Sequence, residues 1–157
     1  EQVTKAVRKV TDKPVIVKLS PNVTDIVEIA KAVEAGGGDG VSLINTILGM
    51  AIDIHRRQPV LGNIYGGLSG PAVKPVALRM VHQVYKGVTI PIIGLGGIMT
   101  GTDAIEFMMA GAQAVQVGTA TMVDPTAISR IAREMSEYVE QYNLNSITDI
   151  VGAVHQA

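Results

Sequence analysis

The two most informative segments of the sequence are IIGLGGI at residues 92–98 and AVQVGTAT at residues 114–121. Each is a short apolar run that ends at glycine, where the backbone can approach a ligand closely because no side chain intervenes. Paired loops of this kind, after the last two strands of a (β/α)₈ barrel, form the usual phosphate site of that fold. Backbone N–H groups bind phosphate at close range, so the pair predicts a site for a phosphorylated ligand.

Strands and helices alternate along the rest of the sequence. Apolar runs predict strands at residues 14–19, 40–44, 90–94 and 114–117, with helices between them. Near-continuous apolar strands that alternate with helices indicate a parallel sheet covered by helices. Four strands are half of a barrel's eight, so we interpret the chain as an α/β protein, the C-terminal half of a (β/α)₈ TIM barrel forming a single domain. A small open α/β domain is the alternative.

Caps and apolar faces mark the expected helices. We expect one helix at about residues 24–35, one opening at Lys74, and one capped by Thr102 or Asp103. A capping box of Ser146 with Asp149 predicts a last short helix. On three of the helices the positions expected to face inward are Val3, Ala6, Val7, Val10, Ile26, Ile29, Ala30, Val33, Ile128, Ile131, Ala132, Met135 and Val139.

Two segments depart from this regular pattern. Residues 46–70 form a long stretch that we expect to be irregular, and loops longer than usual on this face are often functional. Its Arg56-Arg57 pair is either a solvated charge pair or a contact to a partner subunit. The chain opens inside an amphipathic helix without an initiator Met, so we expect the N-terminal half of the barrel to be absent.

Composition excludes several classes of function. The 157 residues are 47% hydrophobic and 17% charged with a net charge of −1, which gives no reason to expect nucleic acid or a membrane surface as partner. No cysteine is present, so disulfides, thiolate metal sites and a cysteine nucleophile are excluded on this chain. No apolar run approaches the roughly 20 residues of a membrane span, and no signal peptide is visible, so we expect a cytoplasmic protein.

Five segments together resemble the dihydroorotate dehydrogenase family, most closely the catalytic subunit of its two-subunit, NAD-dependent class 1B. They are VKLSPN at 17–22, SLINT at 42–46, GGLSGPAVKP at 66–75, GLGGI at 94–98 and VGTA at 117–120. They follow the family order and cover nearly the whole chain. The resemblance implies a barrel that binds FMN and oxidises dihydroorotate to orotate in de novo pyrimidine biosynthesis.

The resemblance assigns flavin contacts to three residues outside the glycine loops. Lys18 stands at the end of the first strand and is implied to lie beside the pyrimidine edge of the flavin, where a fixed positive charge promotes hydride acceptance. Ile44 and Gly70 are implied to contact the flavin as well. The alternatives are a strand-end lysine that reaches into water and a glycine that only serves turn geometry.

The remaining implied contacts are to substrate and phosphate. Asn45 and Thr46 are implied to bind the substrate, and an amide that both donates and accepts suits a planar ring with a carboxylate and carbonyls. A turn asparagine that caps a loop is the alternative. The phosphate clamp implied by the family consists of Gly96, Gly97, Gly118 and Thr119. Tight βα turns without a ligand are the alternative for these four.

The chain carries no catalytic residue that the resemblance assigns, because the family's base is a cysteine in the N-terminal half. The same resemblance implies a partner subunit with FAD and a 2Fe-2S cluster, and a homodimer within a heterotetramer. His55, His82 and His155 share no spacing that indicates a metal site. Two other functions stay open. One is a sugar-phosphate isomerase or synthase without flavin, and the other is a non-catalytic half-barrel that is stable only when paired with another chain.

Overall fold

Four parallel strands form the central sheet of the computed structural model, which describes residues 1–156. In chain order the elements are α1 (Gln2–Arg8), β1 (Ile16–Leu19), α2 (Ile26–Ala35), β2 (Gly40–Leu43), β3 (Ile47–Met50), β4 (Ile52–Asp53), β5 (Gln58–Pro59), β6 (Tyr65–Leu68), α3 (Lys74–Tyr85), β7 (Ile92–Leu95), α4 (Gly101–Met109), β8 (Ala114–Gln116), α5 (Thr119–Val123) and α6 (Ala127–Gln141). Short 3₁₀ helices cover Pro71–Val73, Ile147–Ile150 and Ala153–His155.

The strand order of the central sheet is β1-β2-β7-β8, and every neighbouring pair is parallel. Helices α2, α3 and α4 each connect one strand to the next, as in a βα barrel. The register aligns Lys18 with Ser42, Ser42 with Ile93, and Ile93 with Ala114. The four predicted strands are confirmed to within two residues, and the sheet is consistent with half of a TIM barrel whose open edges are β1 and β8.

The core lies between the sheet and helices α2, α3 and α4. Its largest fully buried side chains are Phe107, Leu43, Ile92, Val41, Val81 and Val84. Each such side chain contributes about 1.5–3 kcal/mol relative to exposure, so these residues fix the position of the strands beneath the site. Helix α6 packs on α4 and adds a smaller cluster around Ile105, Met108 and Ile150.

Side-chain caps set the helix starts, and one predicted cap is wrong. The capping box of Ser146 and Asp149 is present. Helix α4 begins one turn earlier than expected, because Thr100 has the extended backbone of a cap and its hydroxyl accepts from the N–H of Asp103. Asp103 returns the bond to the N–H of Thr100 at 2.9 Å, while Thr102 already lies inside the helix.

Several apolar residues expected to face inward are exposed. The apolar face expected at the N-terminus is open: Val3 on α1 is 78% exposed, Val10, which follows the helix, is 82% exposed, and Thr4 is the buried residue of α1. Thr4 packs on the glycine turn after α2, where an added Cβ on Gly36 would lie 2.8 Å from its Cβ. Other exposed members of the expected faces are Ala6, Val7, Ile29, Ile128 and Ala132. A helix that meets only one layer buries one stripe, so its remaining apolar residues stay outside.

The long stretch after β2 is not irregular, which corrects the sequence prediction. Strands β3 and β6 form an antiparallel ribbon, and β4 and β5 extend it; we call residues 47–68 the hairpin arm. Asp53 shapes its tip by accepting from the N–H groups of His55 and Arg56 at 2.9 and 3.0 Å. The exposed apolar side chains of the arm are Leu48, Met50, Ile52, Ile54, Val60, Leu61, Ile64, Tyr65 and Leu68.

Candidate functional site

One cavity of about 130 Å³ opens at the carboxyl ends of the central strands. Every site residue expected from the sequence lines it, namely Lys18, Ile44, Asn45, Thr46, Gly70, Gly96, Gly97, Gly118 and Thr119. Parallel strands end at the same edge of a sheet, which is why segments far apart in sequence meet there. The enclosed space is smaller than the roughly 300–1,000 Å³ of a typical small-molecule pocket, so it receives part of a ligand of that size.

The first glycine loop follows β7 and is tightly packed from behind. Gly96 and Gly97 have φ values of +130° and +78°, which L side chains rarely adopt. A Cβ on Gly97 would lie 2.7 Å from the carbonyl oxygen of Gly70 and 2.8 Å from the backbone nitrogen of Lys74. The loop therefore needs glycine at Gly97 for contact with the start of α3, whether or not a ligand is bound.

The second glycine loop follows β8 and leaves open space at Gly118, which lines both this cavity and a neighbouring one of about 590 Å³. A Cβ on Gly118 would meet nothing within 4 Å. Thr119 begins α5, and its hydroxyl donates to Ser69 Oγ at 2.9 Å. This bond ties the second loop to the turn at Gly70, where φ is +89°.

Backbone donors from both loops remain unpaired. Among the hydrogen bonds of residues 1–156, none is donated by the N–H groups of Gly96, Gly97, Gly118 or Thr119. All four residues line the same cavity. Unpaired N–H groups on glycine turns form the concave donor sites that bind phosphate, so this donor set fits a phosphorylated ligand.

Two polar residues that follow β2, Asn45 and Thr46, also line the cavity. The side-chain oxygen of Asn45 accepts from the N–H of Thr46 at 2.9 Å, and its amide nitrogen donates to no acceptor within residues 1–156. Asn22 holds this turn, since its amide donates to the Thr46 carbonyl at 3.0 Å and accepts from the Leu48 N–H at 3.0 Å. Asn45 thus serves the turn through its oxygen and presents a free donor.

Lys18 is exposed near the end of the edge strand β1 and borders the cavity. No ion pair involves its ammonium group among the described residues. It is also the one titratable side chain in the lining of the cavity, as far as residues 1–156 show. The cavity therefore combines neutral donors with a single positive charge.

An ion-pair cluster lies behind the first glycine loop. Lys74 Nζ is 2.7 Å from Asp103 Oδ1 and 3.0 Å from Glu106 Oε2. The other oxygen of Asp103 accepts from the N–H of Met99 at 2.9 Å. Burial favours protonation of Asp103, but the hydrogen bonds from Lys74, Met99 and Thr100 outweigh it, so the pKa of Asp103 is lowered. The hydrogen bond to Asp103 raises the pKa of Lys74.

The sequence missed Ser69, Gln116 and Asn22 as parts of the site. Ser69 and Gln116 line the cavity. Ser69 directly precedes Gly70, and Gln116 is the last residue of β8. Asn22 ends the segment VKLSPN. All three lie inside segments that the sequence analysis quoted, so their polar side chains within those segments were the available signal.

The three histidines lie in two separate parts of the structure. His82 and His155 stack with ring centroids 4.2 Å apart, away from the cavity, whereas His55 lies on the hairpin arm. Across residues 1–156 no group of three His, Asp or Glu side chains has the geometry to hold a metal ion. In the same residues no helix has the length and hydropathy needed to cross a membrane.

The fold and the cavity define an α/β protein of the βα-barrel type with glycine loops at the carboxyl ends of its strands. The family model for dihydroorotate dehydrogenase matches residues 1–139, so the chain belongs to the dihydroorotate dehydrogenase family.

Curated relatives narrow the comparison to one class within the family. The chain is 62% identical over 152 residues to the protein named dihydroorotate dehydrogenase B (NAD(+)), catalytic subunit, of Alkaliphilus oremlandii, covering 97% of this chain and 50% of that protein. It is 64% identical over 154 residues to the protein of the same name from Desulforamulus reducens, covering 98% and 51%. The chain spans about half the length of these curated relatives.

Proposed function

We propose that this chain is part of the catalytic subunit of a class B, NAD-dependent dihydroorotate dehydrogenase, which oxidises dihydroorotate to orotate in de novo pyrimidine biosynthesis. The observation that carries the proposal is the meeting of all nine expected site residues around one cavity in a chain of this family. Family membership also favours this function over a sugar-phosphate isomerase or synthase, whose glycine loops would look alike.

FMN is the cofactor that the donor set supports. Its phosphate would lie against the four unpaired N–H groups of Gly96, Gly97, Gly118 and Thr119, while Ile44 and Gly70 would border the ring system. When bound, FMN supplies a two-electron acceptor for the hydride of dihydroorotate. Lys18 places a fixed positive charge at the same cavity, and such a preorganised charge favours transfer of negative charge toward it.

Asn45 and Thr46 would bind and orient the substrate. Within residues 1–156 the amide nitrogen of Asn45 donates to no acceptor, and the Asn22 amide donates to the Thr46 carbonyl at 3.0 Å, which ties this turn to the segment after β1. A free amide donor suits a carboxylate or a ring carbonyl. The hydroxyl of Thr46 would offer a second contact on the same turn.

The proton-accepting base belongs to another part of the complete enzyme in this proposal. The cavity lining contains one titratable side chain among residues 1–156, and that side chain is the lysine. Lys18 is assigned to the flavin in this proposal, so residues 1–156 would form the phosphate and substrate-orienting part of a single FMN barrel. The cysteine base of the family would come from the remaining half.

A partner subunit follows from the names of the relatives. Those names specify a catalytic subunit and NAD(+), so we propose a separate electron-transfer subunit carrying FAD and a 2Fe-2S cluster, around a homodimer in the cytoplasm. The hairpin arm supports burial against another chain, because nine of its large apolar side chains are exposed. Arg56 and Arg57 are exposed at its tip.

The experiment uses a complete catalytic subunit that carries this sequence. It should purify yellow with FMN, and dihydroorotate should bleach that colour without oxygen. A Gly118→Trp variant, whose side chain enters the open side of the second loop, should purify colourless. A colourless wild-type protein that takes up no FMN, or a yellow one that dihydroorotate never bleaches, would contradict the proposed function.

A further inference from the structure

Arg130 on α6 lies behind the two glycine loops and contacts segments that continue from both. Its Nη2 donates to the carbonyl oxygen of Met99 at 3.2 Å, two residues after Gly97. Its Nε and Nη2 lie 3.4 and 3.5 Å from Asp124 Oδ2. Asp124 directly follows α5, the short helix that begins at Thr119 of the second loop. One guanidinium therefore joins the two loops from the rear.

Glu134 and Asp124 complete this arrangement, which we call the Arg130 bridge. Arg130 Nη1 donates to Glu134 Oε1 at 3.1 Å, and Glu134 Oε2 accepts from the N–H of Gly101 at the end of the first loop segment. Asp124 also accepts from the N–H and hydroxyl of Thr126 at 2.9 and 2.7 Å. The bond to Glu134 raises the pKa of Arg130, so the bridge is charged throughout the neutral pH range.

We infer that Arg130 is a positioning residue for the phosphate of the ligand: it sets the spacing of the two glycine loops so that their four N–H groups converge. This inference rests on the proposed function. The planar fork of a guanidinium directs several donors in fixed directions, whereas an ammonium is a single point charge. Arginine is thus suited to hold three acceptors from three segments at once.

A purely structural role predicts a different outcome. The side chains of Arg130, Asp124 and Glu134 are 31–38% exposed, and ion pairs of that kind add little to stability. Removing the bridge should therefore leave the fold and shift only the loops. Arg133 provides the matched control, because it lies on the same helix and its one ion pair among residues 1–156 is with Glu137, with both side chains more than 60% exposed; it acts on Glu134 only through its charge.

The experiment compares FMN with riboflavin, which lacks only the phosphate, on the flavin-free complete catalytic subunit. We expect Arg130→Met to weaken FMN binding about tenfold, by analogy with residues that orient the ligands of metal sites. Riboflavin affinity should not change, and Arg130→Lys should restore only part of the FMN affinity. Arg133→Met should change neither affinity. Asp124→Asn, which keeps the side-chain shape, should weaken FMN in the same selective way and provides a second test.

Each other outcome overturns the inference. Equal losses of FMN and riboflavin affinity in Arg130→Met and Asp124→Asn would assign the bridge to general folding. Unchanged FMN affinity in both variants would show that the loops keep their spacing without it. If the wild-type protein binds FMN no more tightly than riboflavin, the phosphate site of the proposed function fails first. That result is distinct because it is seen before any substitution.

Discussion

Substituting Gly97 and Gly118 separately should distinguish a glycine that the fold requires, Gly97, from one that mainly affects ligand binding, Gly118. At Gly97 an alanine would adopt φ near +78°, which costs about 1–2 kcal/mol for an L residue. Its Cβ would also lie 2.7–2.8 Å from two backbone atoms, and overpacking of that kind costs about 1–3 kcal/mol. Gly97→Ala should therefore destabilise the fold by about 2–5 kcal/mol.

Gly118→Ala is the matched substitution with the opposite expectation. Its φ is −115° and its Cβ would meet no atom within 4 Å, so the cost should stay near the roughly 0.5 kcal/mol of a neutral surface change. The methyl group would occupy the open side of the second loop, where the phosphate is proposed to lie. We expect normal stability together with weaker FMN binding.

Thermal unfolding and FMN titration separate the two effects. In the complete catalytic subunit, about twice the length of this chain, about 1 kcal/mol shifts the melting temperature by roughly 1–2 °C, so Gly97→Ala should melt roughly 2–10 °C lower. Gly118→Ala should melt within roughly 2 °C of the wild type. A Gly97→Ala protein with the wild-type melting temperature would refute the packing argument. A Gly118→Ala protein with unchanged FMN affinity would refute the location of the phosphate.

Three further predictions follow from single features of the structure. Lys18→Ala should slow reduction of the flavin by dihydroorotate about 10²–10³-fold. The melting temperature should change little, because Lys18 is exposed. Stopped-flow absorbance measures the reduction rate, and an unchanged rate would mean that Lys18 is only a solvent-exposed lysine at the strand end. Burial of His82, and next the nearby charges of His155 and Lys86, lower the pKa of His82 in the folded protein. Just below pH 6.5 the unfolded chain therefore binds more protons than the folded chain, so the free energy of unfolding should fall as the pH drops through that range. Melting curves at several pH values should show this loss in the wild type and in the control His55→Gln, and less of it in His82→Gln; identical profiles in all three would contradict the role of His82. The 157-residue chain alone should associate, since β1 and β8 are open edges, and a stable monomer by light scattering would show that these edges are protected.

The central sheet could be predicted because its strands are short apolar runs between glycine or proline residues. Ile92-Ile93 and Ala114-Val115 carry this signal, and the structure places both strands within two residues of the prediction. The hairpin arm could not be predicted in the same way. In β6 two glycines replace the alternating side chains that mark a strand, and β4 and β5 contain only two residues each.

Buried faces were harder to predict than helices. Helix α6 was expected to bury Ile128 and Ala132, yet both are exposed while Ile131 is buried. The sequence gives the spacing of apolar residues, but which side of a helix meets the sheet depends on layers that lie far away in sequence. Helix α1 shows the same limit, since a threonine rather than its valines meets the glycine turn after α2.

The candidate site divides into a part that sequence motifs reveal and a part that they cannot. The first glycine loop can be recognised in the sequence because positive φ and close backbone approach require glycine at Gly96 and Gly97, and its residues are consecutive. The Arg130 bridge cannot be recognised in the sequence. Its bond to Met99 joins residues 31 positions apart, and Arg130 itself looks like any charged residue on the surface of a helix. The strands fix where each loop begins, but a phosphate needs N–H groups from both loops at one point. That spacing depends on side chains of the outer helices, so the test of Arg130 asks whether a residue outside the cavity sets the affinity within it.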